Sequence, residues 1–321
     1  MESVDYIFGR THEAIKRADR VLLVAHKRPD GDTLGASSSV FRWLKREDKD
    51  VTLFCQDLPS KQHRYLEHHG DYTDDPSVFE KNYDLVIIFD SGDLRYAGIH
   101  EHMNRLSAGF RIINIDHHIT NERYGHLNIV LPQATSTSEI MYRFFEANGI
   151  NIDAAMATAL LTGVFFDTSN LTNTATTPES IAVCSKLMDA GARYQEIIRH
   201  TIHDKSIDLL QVWGTFLSRL RFNGTYGVVS TYVLNSDFVG VPAEAVDGAA
   251  NFLNAVVGDG DTVLILKETP NGMIKGSFRS IGRDVSKVAK LMGGGGHKKA
   301  AGFVVTGRIE VTPEGPVIIR A

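Results

Sequence analysis

Four apolar runs in the first half of the chain, RVLLVA (20–25), VTLFC (51–55), DLVIIFD (84–90) and FRIINID (110–116), are continuous rather than alternating. A strand with one wet face alternates apolar and polar residues, whereas a continuous run belongs to a strand covered on both faces, as in a parallel sheet. Helical patterns lie between and after these runs. DTLGASSSVFRWLKRE (32–47) reads as a helix, TSTSEIMYRFFEANG as a helix closed by Gly149, and NIDAAMATALLTGVFFD (151–167) as a largely apolar, buried helix. In TTPESIAVCSKLMDAG, Thr177 suits the N-cap, Pro178 the first helical position and Gly191 the residue just past the end. This order predicts a doubly wound α/β domain with a mostly parallel sheet.

A chain of 321 residues is long enough for two domains. Its character changes after a charged, helical stretch. YGVVSTYV, DTVLILKE, MIKGSFRS and GPVIIRA read as strands and DVSKVAKLM as a helix. The expected organisation is a first domain over 1–191, a helical linker over 192–224 and a smaller α/β domain over 225–321. The two cysteines, Cys55 and Cys184, supply neither a metal-ligand pair nor a disulfide framework, which fits a reduced, cytoplasmic setting. The N-terminus has no continuous apolar segment of the secretory kind, and no run suggests a membrane span. A formal net charge of −5 argues against a long nucleic-acid-binding surface, while leaving room for a small basic pocket.

Three of these strands share one feature: the run ends in, or leads into, acid or imidazole. The first leads into HKRPDGD, with His26, Asp30 and Asp32; the third ends in Asp90; the fourth ends in Asp116, His117 and His118. The apolar helix ends in FFDT, which adds Asp167. Taken alone, Asp32 reads as a helix cap, Asp30-Gly31 as a turn, and Asp90 before Ser-Gly as turn chemistry. Asp167 is oddly placed, because a helix C-terminus disfavours an anion. Together they deliver carboxylates and imidazoles to the carboxyl edge of one sheet, where open α/β sheets bind ligands. Divalent cations make such a cluster tolerable. Carboxylate and imidazole suit Mn²⁺, or Mg²⁺, better than a thiolate-rich zinc site, and the donors suffice for two ions.

The set HKRPDGDTLG, IIFDSGD, IDHH and FFDT, in this order, resembles the DHH phosphoesterase superfamily. GSFRS and GGGGHKKAAG look like the DHH-associated domain that follows it, and the two-domain form is most similar to the nano-RNase and pAp-phosphatase branch. The resemblance implies an active site in the cleft between the domains. It assigns His26, Asp30 and Asp90 to one metal, and Asp32, Asp90, His117 and Asp167 to the other, with Asp90 bridging. Asp116 is implied as an orienting acid and His118 as the residue that faces the phosphate or moves a proton. Arg95, Arg279, Gly294, Gly295, Gly296 and His297 are implied in substrate binding, the glycines by letting backbone N–H groups approach an anion. Ser136 and Thr137 fit a site contact or a helix cap equally. The implied activity is Mn²⁺-dependent hydrolysis of oligoribonucleotides of two to five residues, and of 3′-phosphoadenosine 5′-phosphate (pAp) to AMP. Long nucleic acid and membranes are not expected as partners, and self-association is left open. The alternatives are a cyclic or linear di-AMP phosphodiesterase, a pyrophosphatase and a non-catalytic nucleotide-binding protein.

Overall fold

In the computed structural model the described residues are 3–202, 206–238, 249–258, 260–312 and 315–319. They fall into two compact units, Met1–Asp204 and Lys205–Ala321.

The first unit begins with helix α1 (Val4–Arg17), capped by the Ser3 side chain. Strand β1 (Arg20–Ala25) follows, then α2 (Gly31–Arg46), β2 (Asp50–Cys55), β3 (Tyr72–Thr73), β4 (Leu85–Phe89), β5 (Arg111–Asp116) and β6 (Leu127–Val130). Helices α3 (Thr137–Ala147), α4 (Ala154–Asp167), α5 (Pro178–Asp189) and α6 (Tyr194–Thr201) complete it. The six strands lie in the order β3-β2-β1-β4-β5-β6, and every neighbouring pair is parallel. The continuous apolar runs are explained by β1. Val21, Leu23 and Ala25 enter one core with residues of α1 to α6, while Leu22 and Val24 enter a second core with Val78, Phe79, Ala97 and Ile99. All five are fully buried, and each Val or Leu so placed contributes about 1.5–3 kcal/mol.

The chain leaves β1 for β2 and β3 on one side, then returns to build β4, β5 and β6 on the other. β1 and β4 are thus sheet neighbours whose following segments diverge, which opens a crevice at their carboxyl ends. The α5 caps form as read: Thr177 and Ser180 exchange hydrogen bonds, Pro178 opens the helix, and Gly191 takes φ +91°. The apolar helix starts at Ala154 because Asp153 caps it through the N–H groups of Ala155 and Met156. β6 is short and α1 amphipathic, and neither carried the continuous apolar signature of the other strands.

The second unit contains α7 (Ile207–Ser218), β7 (Arg221–Asn223), β8 (Val228–Val233), α8 (Ala249–Val256), β9 (Thr262–Glu268), β10 (Met273–Ser280), α9 (Val285–Leu291), β11 (Gly295–His297), β12 (Ala300–Thr306), β13 (Arg308–Thr312) and β14 (Gly315–Ile319). Its main sheet has the order β11-β12-β10-β9-β8-β7, with β8 and β9 parallel and the other pairs antiparallel. One face packs on α7 and α8, the other on α9 and the β13–β14 hairpin. The 192–224 stretch contains α6 in the first unit and α7 in the second; its residues 203–205 lie outside the described ones. Among the described residues no helix is long and apolar enough to cross a membrane.

Candidate metal centre

His26 is the first residue after β1 and is 1% exposed. Its Nδ1 lies 2.8 Å from the Lys27 carbonyl. A carbonyl only accepts, so Nδ1 carries the proton and Nε2 is the ligating end. That Nε2 lies 3.6 Å from Asp30 Oδ1 and 3.3 Å from Asp90 Oδ2. The Tyr96 ring stacks on the imidazole with centroids 4.7 Å apart. Burial alone would lower the pKa of His26, but the Asp30 and Asp90 carboxylates hold it up at about 12.

The cap role expected of Asp32 taken singly falls instead to Asp30. The α2 cap is Asp30, whose Oδ1 accepts from the N–H groups of Asp32 and Thr33. Asp32 sits inside the first turn and reaches across to α3. Its Oδ2 accepts from Thr137 N (2.6 Å) and its Oδ1 from Ser138 N (2.8 Å). These are first-turn amides of α3, whose dipole favours a carboxylate. Asp32 is fully buried, and burial, followed by the neighbouring Asp90 and Asp167, pushes its pKa well up. Thr137 and Ser138 thus hold a site carboxylate, and the cap of α3 is Ser136, which accepts from Glu139 N.

Asp90 follows β4 in a left-handed conformation, φ +55°, which costs an L-residue about 1–2 kcal/mol. The ladder holds it there, because its N–H donates to the Ile115 carbonyl at 2.9 Å. The two carboxylate oxygens face different partners. Oδ2 is turned to His26, while Oδ1 lies 3.5 Å from His117 Nε2 and accepts from the Thr137 hydroxyl at 3.2 Å.

β5 ends in Asp116, which is fully buried. Its Oδ1 accepts from the N–H groups of His117 (2.7 Å) and His118 (3.1 Å) and from His118 Nδ1 (2.7 Å). Its Oδ2 accepts from Asn121 Nδ2 at 2.5 Å. Asp116 also lies within reach of Asp90, His117 and His118, but both its oxygens are committed to these donors, so its geometry is that of an orienting group. Burial works the other way, yet His118 and Asn121 hold Asp116 below the usual carboxylate range. The Asp116 hydrogen bond raises His118. His117 turns its Nδ1 to the Ala134 carbonyl (3.4 Å) and its Nε2 to Asp167 Oδ2 (3.2 Å). Burial lowers His117, but Asp167, Asp90 and Asp32 outweigh it and raise it to about 10. Asp167 ends α4, and burial pushes it up to about 6 despite His117.

The donors form two groups, His26–Asp30–Asp90 and Asp32–His117–Asp167, each with its ligand atoms within 4.8 Å of one another. Without cations, the crowding raises the two imidazoles His26 and His117 and also the carboxyls of Asp32 and Asp167. The donor chemistry fits hard divalent cations, with imidazole nitrogen and carboxylate oxygen and no thiolate.

Arg95 is exposed on the turn after β4, where Asp93 Oδ1 accepts the N–H groups of Arg95 and Tyr96. Arg279, Gly294, Gly295, Gly296 and His297 belong to the second unit. Arg279 donates to the Phe278 carbonyl. The N–H of Gly294 is spent on the Ala289 carbonyl at 2.8 Å, and a Cβ there would lie 2.1 Å from the Gly302 carbonyl, so this glycine serves close packing against β12. The His297 side chain lies outside the described residues.

Sequence reading missed Tyr96 and Asn121. Asn121 is tied to Ser91 O, Asn114 and Asp116. A clue was the polar Asn114 inside an otherwise apolar strand, fully buried and bonded to Asn121 and Asn128. Asn121→Ala should lower kcat by about 10–100-fold, the usual cost of losing an outer-shell partner, with metal content unchanged. An unaltered kcat would show that Asp116 is oriented without it.

Comparison with known proteins gives two domain matches: the DHH family, N-terminal domain, over residues 20–164, and the DHHA1 domain over residues 227–314. The bifunctional oligoribonuclease and PAP phosphatase NrnA of Thermus thermophilus is 29% identical over 298 residues, covering 92% of this chain and 87% of that protein. A probable bifunctional oligoribonuclease and PAP phosphatase NrnA of Streptococcus mutans is 25% identical, covering 90% of each. The crystal structure of an exopolyphosphatase-related protein from Bacteroides fragilis superposes with a TM-score of 0.85 at 23% identity, over 93% of this chain and 90% of that one, and shares the fold.

Proposed function

We infer, from the DHH N-terminal domain and the DHHA1 domain that this chain carries, that it is a metal-dependent phosphoesterase acting on oligoribonucleotides of two to five residues and on pAp. One observation carries the reading. Asp90 presents one oxygen to His26 and the other to His117, so that two donor groups share it. In this reading His26, Asp30 and Asp90 hold one divalent ion, and Asp32, Asp90, His117 and Asp167 the second. Manganese is the metal the donor set favours. When bound, such ions lower the pKa of water and offset negative charge on the phosphoryl group.

The chain's own residues supply the rest. Asp116 accepts from Nδ1 of His118 and so sets the orientation of its ring, and His118 is proposed to face the substrate phosphate or to assist proton transfer. Asn121 keeps Asp116 in place. Arg279 is proposed as a clamp for a substrate phosphate, with Gly295, Gly296 and His297 as further contacts and Arg95 as a lesser one, while Gly294, whose N–H is spent on the Ala289 carbonyl, is not a donor to it. Residues 225–321 are thereby read as the substrate-binding module.

The test is a time course with Mn²⁺ on end-labelled pApA, a 24-mer RNA and pAp in parallel. Rapid AMP release from pApA and pAp, with the 24-mer nearly untouched, is the expected result. Persistence of pApA and pAp would overturn the reading.

A further inference from the structure

Three large apolar side chains stand exposed beside the donors of the metal centre. Tyr96 is 38% exposed, Phe166 47% and Ile119 86%. Ile119 directly follows His118, and Phe166 directly precedes Asp167. A Cβ at Gly31, between Asp30 and Asp32, would lie 2.8 Å from Phe166 Cβ, so this side chain packs on the backbone that carries two of the carboxylates. Apolar residues scattered singly over a surface are ordinary, whereas a group of them bordering a site marks a ligand with an apolar part. An inorganic phosphate has no such part; a nucleotide has its base.

Tyr96 is the most firmly placed of the three. Its N–H donates to Asp93 Oδ1 at 2.7 Å, and its carbonyl accepts from Lys27 N at 3.1 Å. Both polar groups of its backbone are thereby engaged, and its exposure belongs to the side chain. One face of the ring lies on the His26 imidazole, with centroids 4.7 Å and planes 29° apart. Lys27 also supplies the carbonyl that His26 Nδ1 meets, so Tyr96 is tied to that imidazole through ring and backbone alike. The ring's other face is the stacking surface that remains. A second ring laid on it at the ordinary aromatic separation of about 4.5–7 Å would lie roughly 10 Å from the imidazole, a span that one ribose and its phosphate bridge.

We propose that the outer face of Tyr96 is the platform on which the nucleobase of the substrate stacks, beside the His26–Asp30–Asp90 donors. This rests on the nucleotide-hydrolysing reading and deepens it: Tyr96 is a specificity residue that favours phosphates carrying a base over pyrophosphate and other base-free phosphates. Every base has a π-face, so such a platform tolerates mixed RNA sequence.

The wild type, Tyr96→Leu and Tyr96→Phe are compared as full chains by two readouts. In the first, 2-aminopurine riboside 5′-monophosphate, a fluorescent relative of the product AMP, is titrated with each protein in Mg²⁺, and stacking quenches its emission. Quenching is expected with the wild type and Tyr96→Phe and is lost with Tyr96→Leu. In the second, kcat/KM with Mn²⁺ is measured for pAp and for its base-free counterpart, in which hydrogen replaces adenine. Tyr96→Leu should lower the pAp value about tenfold more than the base-free value, the usual scale of losing an aromatic platform, and Tyr96→Phe should restore the ratio. Tyr96→Met, which also lacks a ring, takes the place of Tyr96→Leu should that variant fail to fold. An unquenched wild type, quenching that survives in the ringless variant, or equal losses for the two substrates, as disturbance of His26 alone would give, overturns the platform. A wild type inert toward pAp and pApA would instead overturn the functional reading, while the quenching still decides the platform.

Discussion

Asp90→Ala is expected to lower turnover of pApA and pAp by at least about 10³-fold, roughly 4 kcal/mol of transition-state stabilisation. The size follows from geometry. Asp90 is 3% exposed and is the residue whose two oxygens face both His26 and His117. Removing it leaves His26 and Asp30 as the donors of one group, too few to retain a hard cation against water. The other group keeps Asp32, His117 and Asp167. Metal analysis after dialysis should therefore show the bound Mn²⁺ falling by about half or more, and a chelator should inactivate the wild type just as fully. Asp90→Asn keeps the shape and removes the charge, and should be nearly as impaired. Full activity with undiminished metal in either variant would show that Asp90 does not join the two groups.

Gly163→Ala should damage both stability and the metal site. A Cβ at 163, in α4, would lie 2.0 Å from Ser138 Oγ and 2.6 Å from both Ser138 Cβ and Asp32 Oδ1. Turning the Ser138 hydroxyl away does not help, because its own Cβ and Asp32 remain too close. On an exposed helix this substitution would be favourable by about 1 kcal/mol. Here overpacking of about 1–3 kcal/mol opposes that gain, and Asp32 is pushed off the Thr137 and Ser138 amides that hold it. The melting temperature of the first unit should fall by a few degrees, at roughly 2–4 °C per kcal/mol for a unit of this size, and Mn²⁺ affinity should fall with it. A raised melting temperature with unchanged affinity would show that α4 can back away from α3 at no cost.

Much of this was legible along the chain. The strands β1, β2, β4 and β5 were read from continuous apolar runs, because burial on both faces is a local property of each run. His26, Asp30, Asp32, Asp90, Asp116, His117, His118 and Asp167 were read because strand ends and a helix end deliver them to one edge, and local position alone says so. β12 was not read: AAGFVVT opens on small residues after a glycine run, and its pairing with β10 and β11 is what makes it a strand.

The sequence by itself therefore determined which residues reach the carboxyl edge of the parallel sheet. Only the tertiary structure decided what each does there. Asp30 caps α2 while Asp32 is held by amides of α3, 105 and 106 positions away. Asp116 is taken by His118 and Asn121, and Asp90 is divided between two imidazoles. The reason is physical. Apolar periodicity and capping are set by neighbours a few residues apart, whereas a carboxylate's role depends on which donors meet its two oxygens, and in this fold those donors come from strands and helices far apart in the chain.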